Sequence, residues 1–170
     1  MKIPQRVIDN FITEIAGKEA LPIYNMLKNK ENVNEFSIAE KLKLTINQIR
    51  NIIYKFEQYN LVASSRKKDR KKGWYIYFFT FNQKQAEETI VQLKKKRIEQ
   101  LRKQLERESK HEFYTCPNKC MRVTIENAME NNFICLECGT LLDPEDNVKN
   151  KSRINKQIND FENELKNLEK

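Results

Sequence analysis

A chain of 170 residues with 39% hydrophobic content can build one medium domain or two small ones, and its longest apolar stretch, residues 74–79, is far short of the about 20 residues that a membrane helix needs. A charged fraction of 33%, only 3 Gly and a net charge of +8 predict a helix-rich protein that favours anionic partners, whether nucleic acid, an acidic protein surface or anionic lipid. No apolar segment follows Met1-Lys2-Ile3-Pro4-Gln5-Arg6, so no secretory signal is expected; a soluble, cytoplasmic protein keeps its thiols reduced, and grouped cysteines there bind metal more often than each other.

Val7, Phe11 and Ile15 recur at helical spacing, and Leu21, Ile23, Tyr24 and Leu27 imply a second short helix. Ser37-Ile38-Ala39-Glu40 and Thr45-Ile46-Asn47-Gln48 both read as capping boxes, in which a hydroxyl caps a backbone N–H and the acid or amide reaches back. They predict a short helix ending near Leu42 and a longer one running to about Tyr59, with Ile46, Ile49, Ile53 and Phe56 on one face. Residues 61–66 and 74–81 then change to β-favouring runs joined by a basic turn ending in Gly73, which reads as a hairpin. Helices followed by such a hairpin are the order of parts of a winged helix.

Residues 83–110 contain no Gly or Pro and carry an apolar seam of Val91, Ile98, Leu101 and Leu105, predicting one helix about 40 Å long. The tail repeats the pattern with Ile154, Ile158, Phe161, Leu165 and Leu168; its partner is either that seam or another protein. The expected fold is therefore mainly α with small β elements. It comprises a winged helix (1–82), a long basic helical linker (83–110), a four-cysteine zinc ribbon (111–145) and a C-terminal amphipathic helix (146–170).

The four cysteines carry the sharpest chemistry. Cys116-Pro117-Asn118-Lys119-Cys120 and Cys135-Leu136-Glu137-Cys138-Gly139 are two tight turns separated by fourteen residues. Two such turns supply a closed tetrahedral set for one structural zinc ion, with no open position for a catalytic water. Gly139 suits a backbone that must wrap close to sulfur with φ > 0. Disulfides are the competing reading. Residues 121–125 and 133–134 are expected as ribbon strands, with 126–131 bending the chain between them. His111, the only histidine, is expected at the surface of a helix end. An enzyme would need a nucleophile and base, or a His-and-Glu metal set, and the chain offers neither.

The hairpin turn, Arg66-Lys67-Lys68-Asp69-Arg70-Lys71-Lys72, holds six cations and one anion beside Trp74, Tyr75, Tyr77, Phe78 and Phe79. Cations grip phosphate without reading sequence, and exposed aromatics stack on unpaired bases or dock into a protein pocket. Alternatively, the aromatics pack on the helices and the charges only solvate the turn. Arg66, Lys67, Lys68, Arg70, Lys71, Lys72, Trp74 and Tyr75 are the candidate contacts. The helix over 45–59 offers Asn47, Gln48, Arg50, Asn51 and Lys55, offset by Glu57, which is modest provision for base readout.

The order of parts, with the ribbon reading CPNKCMRVTIENAMENNFICLECGTLLD, resembles the archaeal general transcription factor E alpha subunit, related to the large subunit of eukaryotic transcription factor IIE. The resemblance covers essentially the whole chain; Leu136 stands where many relatives have Pro, and the long acidic extension of the eukaryotic relatives is not matched. It implies zinc at Cys116, Cys120, Cys135 and Cys138, and a family wing falling on residues 66–79. It also implies binding to RNA polymerase and promoter DNA, assistance in promoter opening and stabilisation of the open complex, with TATA-binding protein and a beta subunit as further partners. The other class is a sequence-specific winged-helix regulator carrying a zinc ribbon, which would dimerise and read a palindromic site with the 45–59 helix.

Overall fold

In the computed structural model, residues 3–70 and 73–169 are described. Lys71 and Lys72, two of the candidate wing cations, lie outside the described residues. The chain forms two compact units, residues 1–93 and 94–169.

The first unit is a winged helix. Helices α1 (Gln5–Ala16) and α2 (Ala20–Leu27) precede a two-residue strand β1 (Val33–Asn34), and α3 (Glu35–Leu42) and α4 (Ile46–Glu57) lead into the hairpin of β2 (Val62–Lys68) and β3 (Tyr75–Phe81). The antiparallel sheet has the order β1-β3-β2, with Arg66 opposite Tyr77 and Lys68 opposite Tyr75. The core gathers the inward stripes of the helices, Ile8 and Ile12 from α1, Ile23 and Leu27 from α2, Ile38 from α3, and Ile49, Ile53 and Phe56 from α4. Phe81 closes it, edge-on to Tyr24 at 4.8 Å and to Phe56 at 6.0 Å between ring centroids.

Three local expectations are corrected. The Ser37 capping box does not form: Asn34 accepts the Phe36 N–H at 2.8 Å, so α3 starts three residues earlier, because asparagine is as good a cap as serine and comes first. The second box does form, with Gln48 N–H donating to Thr45 Oγ1 and Thr45 N–H to Gln48 Oε1. On α4, Ile52 takes the buried place expected of Ile46, which is only half-buried, and the helix ends at Glu57. Strand β1 was not foreseen, since two residues carry no periodicity.

A fully buried carboxylate ties this unit together. Glu35 on α3 accepts two hydrogen bonds of 3.0 Å from the Arg50 guanidinium on α4 and one of 3.1 Å from the Tyr77 N–H on β3. Arg50 in turn lies 4.8 Å from the centre of the Tyr77 ring. A bidentate charge pair with a third donor satisfies most of the carboxylate's lone pairs, which is the condition under which a buried charge is tolerated.

Helix α5 (Gln83–Lys110) is capped by Asn82, which accepts the Gln85 N–H at 3.0 Å, and the helix runs unbroken as its composition predicts. In the second unit its C-terminal part lies antiparallel to α7 (Val148–Glu169). Arg102 pairs with Glu162 at 2.7 Å, Lys94 with Glu164, and Asn147 donates to the Glu108 carbonyl at 2.7 Å. Ile98 and Leu101 are buried on α5, and Ile154, Ile158, Leu165 and Leu168 on α7. The tail's seam therefore has a partner within the chain. Exposed ion pairs contribute about 0–1 kcal/mol each, so the apolar seam carries most of the pairing. No helix among the described residues is long and apolar enough to cross a membrane.

Between α5 and α7 sits the ribbon: β4 (Phe113–Thr115), β5 (Arg122–Thr124), helix α6 (Ile125–Glu130) and β6 (Asp143–Glu145), in an antiparallel sheet ordered β5-β4-β6. The bend expected over 126–131 is this helix, and the strand expected at 133–134 is reduced to a single bridge between Ile134 and Leu141, with Phe133 at φ 58°. The residues of α6 include good helix formers, and Ala128 is small enough to be buried in the ribbon core. Buried Glu108 on α5 receives both ends of the Arg122 guanidinium at 2.9 and 2.8 Å, and Arg122 also pairs with Glu145 and covers the Phe113 ring at 3.8 Å. The Arg122 hydrogen bonds hold the Glu108 carboxyl below its usual range despite burial.

Two outcomes are expected. Glu35→Gln, which leaves Arg50 and the Tyr77 N–H poorly matched, should destabilise the winged helix by about 2 kcal/mol, read as a lower urea midpoint in the fluorescence of Trp74, the sole tryptophan. Because the folded-state pKa of Glu108 is depressed, its contribution is complete above the unfolded value of about 4.3 and is lost as pH falls through the folded value. Hydrogen-exchange protection of residues 113–124 should therefore differ between wild type and Glu108→Gln at pH 6, by about 1–2 kcal/mol, and the difference should shrink below about pH 4.

Candidate metal centre and basic wing

Each cysteine pair sits in a turn closed by backbone hydrogen bonds. In the first, Lys119 N–H donates to the Cys116 carbonyl at 2.8 Å and Cys116 N–H to Met121 at 3.0 Å. In the second, Gly139 N–H donates to the Cys135 carbonyl and Cys135 N–H to Thr140, both at 2.8 Å. Lys119 and Gly139 have φ of 59° and 72°, so the glycine expected at the second turn is there, while a lysine adopts the left-handed region at the first. A Cβ added at Gly139 would meet nothing within 4 Å, so backbone conformation, not space, favours glycine.

These turns bring the sulfurs of Cys116, Cys120, Cys135 and Cys138 within 4.8 Å of one another, with Cys116 and Cys138 at 3.5 Å. No disulfide joins them. Thiolates bound tetrahedrally at about 2.3 Å from one ion lie about 3.8 Å apart, so the set fits a single metal ion. Its protonation chemistry agrees. Hydrogen bonding from Thr140, with help from the Asn118 amide, lowers the Cys138 thiol to about 5, whereas hydrogen bonding with Cys138 pushes Cys120 up to about 12. Burial raises Cys135. Cys138 thus ionises readily while Cys120 and Cys135 hold their protons, and a cation among the sulfurs would favour their thiolates. Asn118, 3.6 Å from Cys138 Sγ and 3.2 Å from Thr140 Oγ1, and Thr140 itself were not singled out from the sequence. A polar residue inside a cysteine turn is the only signal that could have marked them.

The wing divides its aromatics by strand alternation. Phe79 and Phe81 are buried, Tyr77 and Phe78 are half-buried, and Trp74 and Tyr75 remain about half-exposed. The Arg66 guanidinium lies 4.5 Å from the centre of the Tyr75 ring, and Trp74 is 6.4 Å from Phe36 of α3, a neighbour that sequence spacing does not reveal. The turn is closed by Asp69 N–H to the Trp74 carbonyl and Gly73 N–H to the Asp69 carbonyl. Arg66, Lys67 and Lys68 thus extend along β2 and are exposed, while Arg70 lies in the turn. Neither cation of α4 is turned outward without a partner: Arg50 is held by Glu35, and Lys55 Nζ donates to the Ala16 carbonyl at 3.2 Å.

Comparison with known proteins agrees with this arrangement of parts. The family model described as the TFIIE alpha subunit matches residues 6–111. Proteins named Transcription factor E are similar over nearly the whole chain. That of Cenarchaeum symbiosum is 34% identical, over 89% of this chain and 89% of the relative. That of Sulfolobus acidocaldarius is 32% identical over 92% of each, and that of Metallosphaera sedula 29% over 94% of this chain and 92% of the relative. With winged helix, long helix, four-cysteine ribbon and terminal helix in the same chain, this protein belongs to the TFIIE alpha subunit family, that of the basal transcription factor E, which is not an enzyme family.

Proposed function

We propose that this chain is a transcription initiation factor that binds RNA polymerase and promoter DNA, assists promoter opening and stabilises the open complex. The observation that carries the reading is the wing: a run of cations beside two half-exposed aromatics, on a winged helix whose α4 cations are engaged within the protein. Separating the strands costs about 1.4 kcal/mol for each base-pair step, and stacking of an unpaired base on an aromatic contributes about 1–3 kcal/mol. A wing that binds the opened strand better than the duplex shifts the equilibrium by the difference in affinity. Arg66, Lys67, Lys68 and Arg70 would hold phosphates, while Trp74 and Tyr75 would stack on bases or dock on polymerase. Lys71 and Lys72 belong to the same run of charge.

The four cysteines are proposed to hold one zinc ion in a structural role, which the tight tetrathiolate set favours over harder cations. The working parts are the winged helix over 1–82, the linker over 83–110, the ribbon over 111–145 and the terminal helix over 146–170. TATA-binding protein and a beta subunit are further proposed partners, and the cytoplasm, where thiols stay reduced, the proposed place of action. The sequence-specific regulator reading relies on α4 for base contacts; its exposed face offers the amides Asn47, Gln48 and Asn51, while Arg50 is held by Glu35 and Lys55 by the Ala16 carbonyl.

Reversing Arg66, Lys67, Lys68 and Arg70 to Glu should reduce permanganate reactivity of the promoter bubble by about tenfold at low salt without changing the circular dichroism, and unchanged reactivity would remove the wing from opening. Trp74→Ala and Tyr75→Ala should each weaken polymerase-dependent opening by about 1–3 kcal/mol, measured as open-complex lifetime. Metal analysis of reduced protein should find one zinc per chain, and Cys116→Ser or a strong chelator should abolish hydrogen-exchange protection over residues 113–145 while leaving residues 5–81 protected.

A further inference from the structure

Asn118 stands in the middle of the first cysteine turn, yet its side chain serves the second. The amide donates to the Cys138 sulfur at 3.6 Å and to the Thr140 hydroxyl at 3.2 Å, across 20 and 22 residues of sequence. Thr140 is itself built into the second turn, since its carbonyl accepts the Cys135 N–H at 2.8 Å. One side chain therefore joins the two halves of the cysteine set. It does so at a sulfur that solvent reaches, because Cys116 and Cys135 are buried whereas Cys120 and Cys138 are exposed.

An asparagine in a tight turn is ordinarily there for the backbone, since it tolerates the left-handed region. Here that region falls on Lys119, at φ 59°, and Asn118 is not among the residues of positive φ. Its amide contacts lie in the other turn, so the backbone of its own turn does not account for it. Metal chemistry does. Four thiolates around one divalent ion leave two negative charges to be spread, and donors to sulfur spread them while fixing the orientation of the ligands. The Cys138 thiol donates to the Thr140 hydroxyl at 3.4 Å. A hydroxyl rotates about its C–O bond, so with a metal ion in place of that proton the same oxygen can donate to the sulfur, held there by Asn118. The link also acts on chain entropy. Fourteen residues separate the inner cysteines, and a contact between the turns closes that loop before an ion arrives.

We infer that Asn118 is a positioning residue of the metal centre: it clips the first cysteine turn to the second through Thr140, donates to the Cys138 sulfur, and thereby sets how tightly the chain holds its ion. This rests on the reading above that the four cysteines hold one zinc ion.

The test uses the full chain, reduced, stripped of metal and supplied with zinc against a competing chelator. Asn118→Ala should raise the zinc dissociation constant by about 10–100-fold and Thr140→Val by less. The double variant should lose less than the product of the two, because both act on one sulfur. Asn118→Asp keeps the shape of the side chain but cannot donate, and it sets a carboxylate beside the thiolates, so its loss should be at least as large as that of Asn118→Ala. Cobalt(II) at saturation reports on the sulfurs themselves. Every variant should show the absorption of a tetrahedral tetrathiolate site, with the thiolate-to-cobalt charge-transfer band of Asn118→Ala displaced to lower energy, since a sulfur relieved of a hydrogen bond gives up charge more readily. Wild-type chain that takes up no zinc would overturn the metal centre and this assignment together. With zinc bound to wild type, three results would each overturn the role of Asn118 and leave the metal centre standing: undiminished affinity in Asn118→Ala, undiminished affinity in Asn118→Asp, or weakened affinity with an unmoved cobalt band.

Discussion

The second unit depends on four sulfur atoms sharing one small volume. Apart from Cys116 and Cys135, the buried residues of the ribbon core are Ala128 and Leu142, with Tyr114, Met121, Val123 and Phe133 packed partly against them. An apolar nucleus of that size cannot offset the conformational entropy of ordering some thirty-five residues, each costing about 1–2 kcal/mol of backbone freedom. The backbone turns hold the two cysteine pairs together, the Asn118 amide donates to Cys138 Sγ, and the Cys138 thiol donates to the Thr140 hydroxyl. Local geometry and electrostatics thus agree on a cation, and the sheet β5-β4-β6 and the Glu108–Arg122 pair secure what that cation would organise.

The winged helix solves a different problem with an ordinary apolar core and one buried charge. Glu35 joins α3, α4 and β3 at a point where three elements meet, and its alignment with Arg50 orders the root of the hairpin beyond which the wing projects. Further along the hairpin Tyr75 remains about half-exposed, with the Arg66 guanidinium over its ring. Buried and exposed aromatics are therefore one continuous strand pattern, from Phe81 and Phe79 in the core to Tyr75 at the far end.

Much of this was legible in the residues. The long helix, the tail helix and the hairpin are strongly periodic or free of breakers, and two cysteine pairs at short spacing announce a metal ribbon. What escaped detection was short or non-local. Asn34 displaced Ser37 as a cap because two good caps lay within one turn and the sequence does not rank them. Strand β1 exists only through its pairing with β3, and α6 competes with a bend over six residues, too few for a period to register. Glu35 reads as a surface acid until the arginine fifteen residues later and the strand forty-two residues later are brought beside it. Of the candidate site, the four clustered cysteines were plain and the neighbouring Asn118 and Thr140 were not.

The inward-facing Arg50 has one more consequence. A guanidinium committed to a carboxylate cannot also grip the N7 and O6 edge of a guanine, so the helix best placed to enter a groove lacks the side chain that most often tells one base from another. The contact that joins α3, α4 and β3 thus also takes the one arginine of α4 out of reach of a base edge.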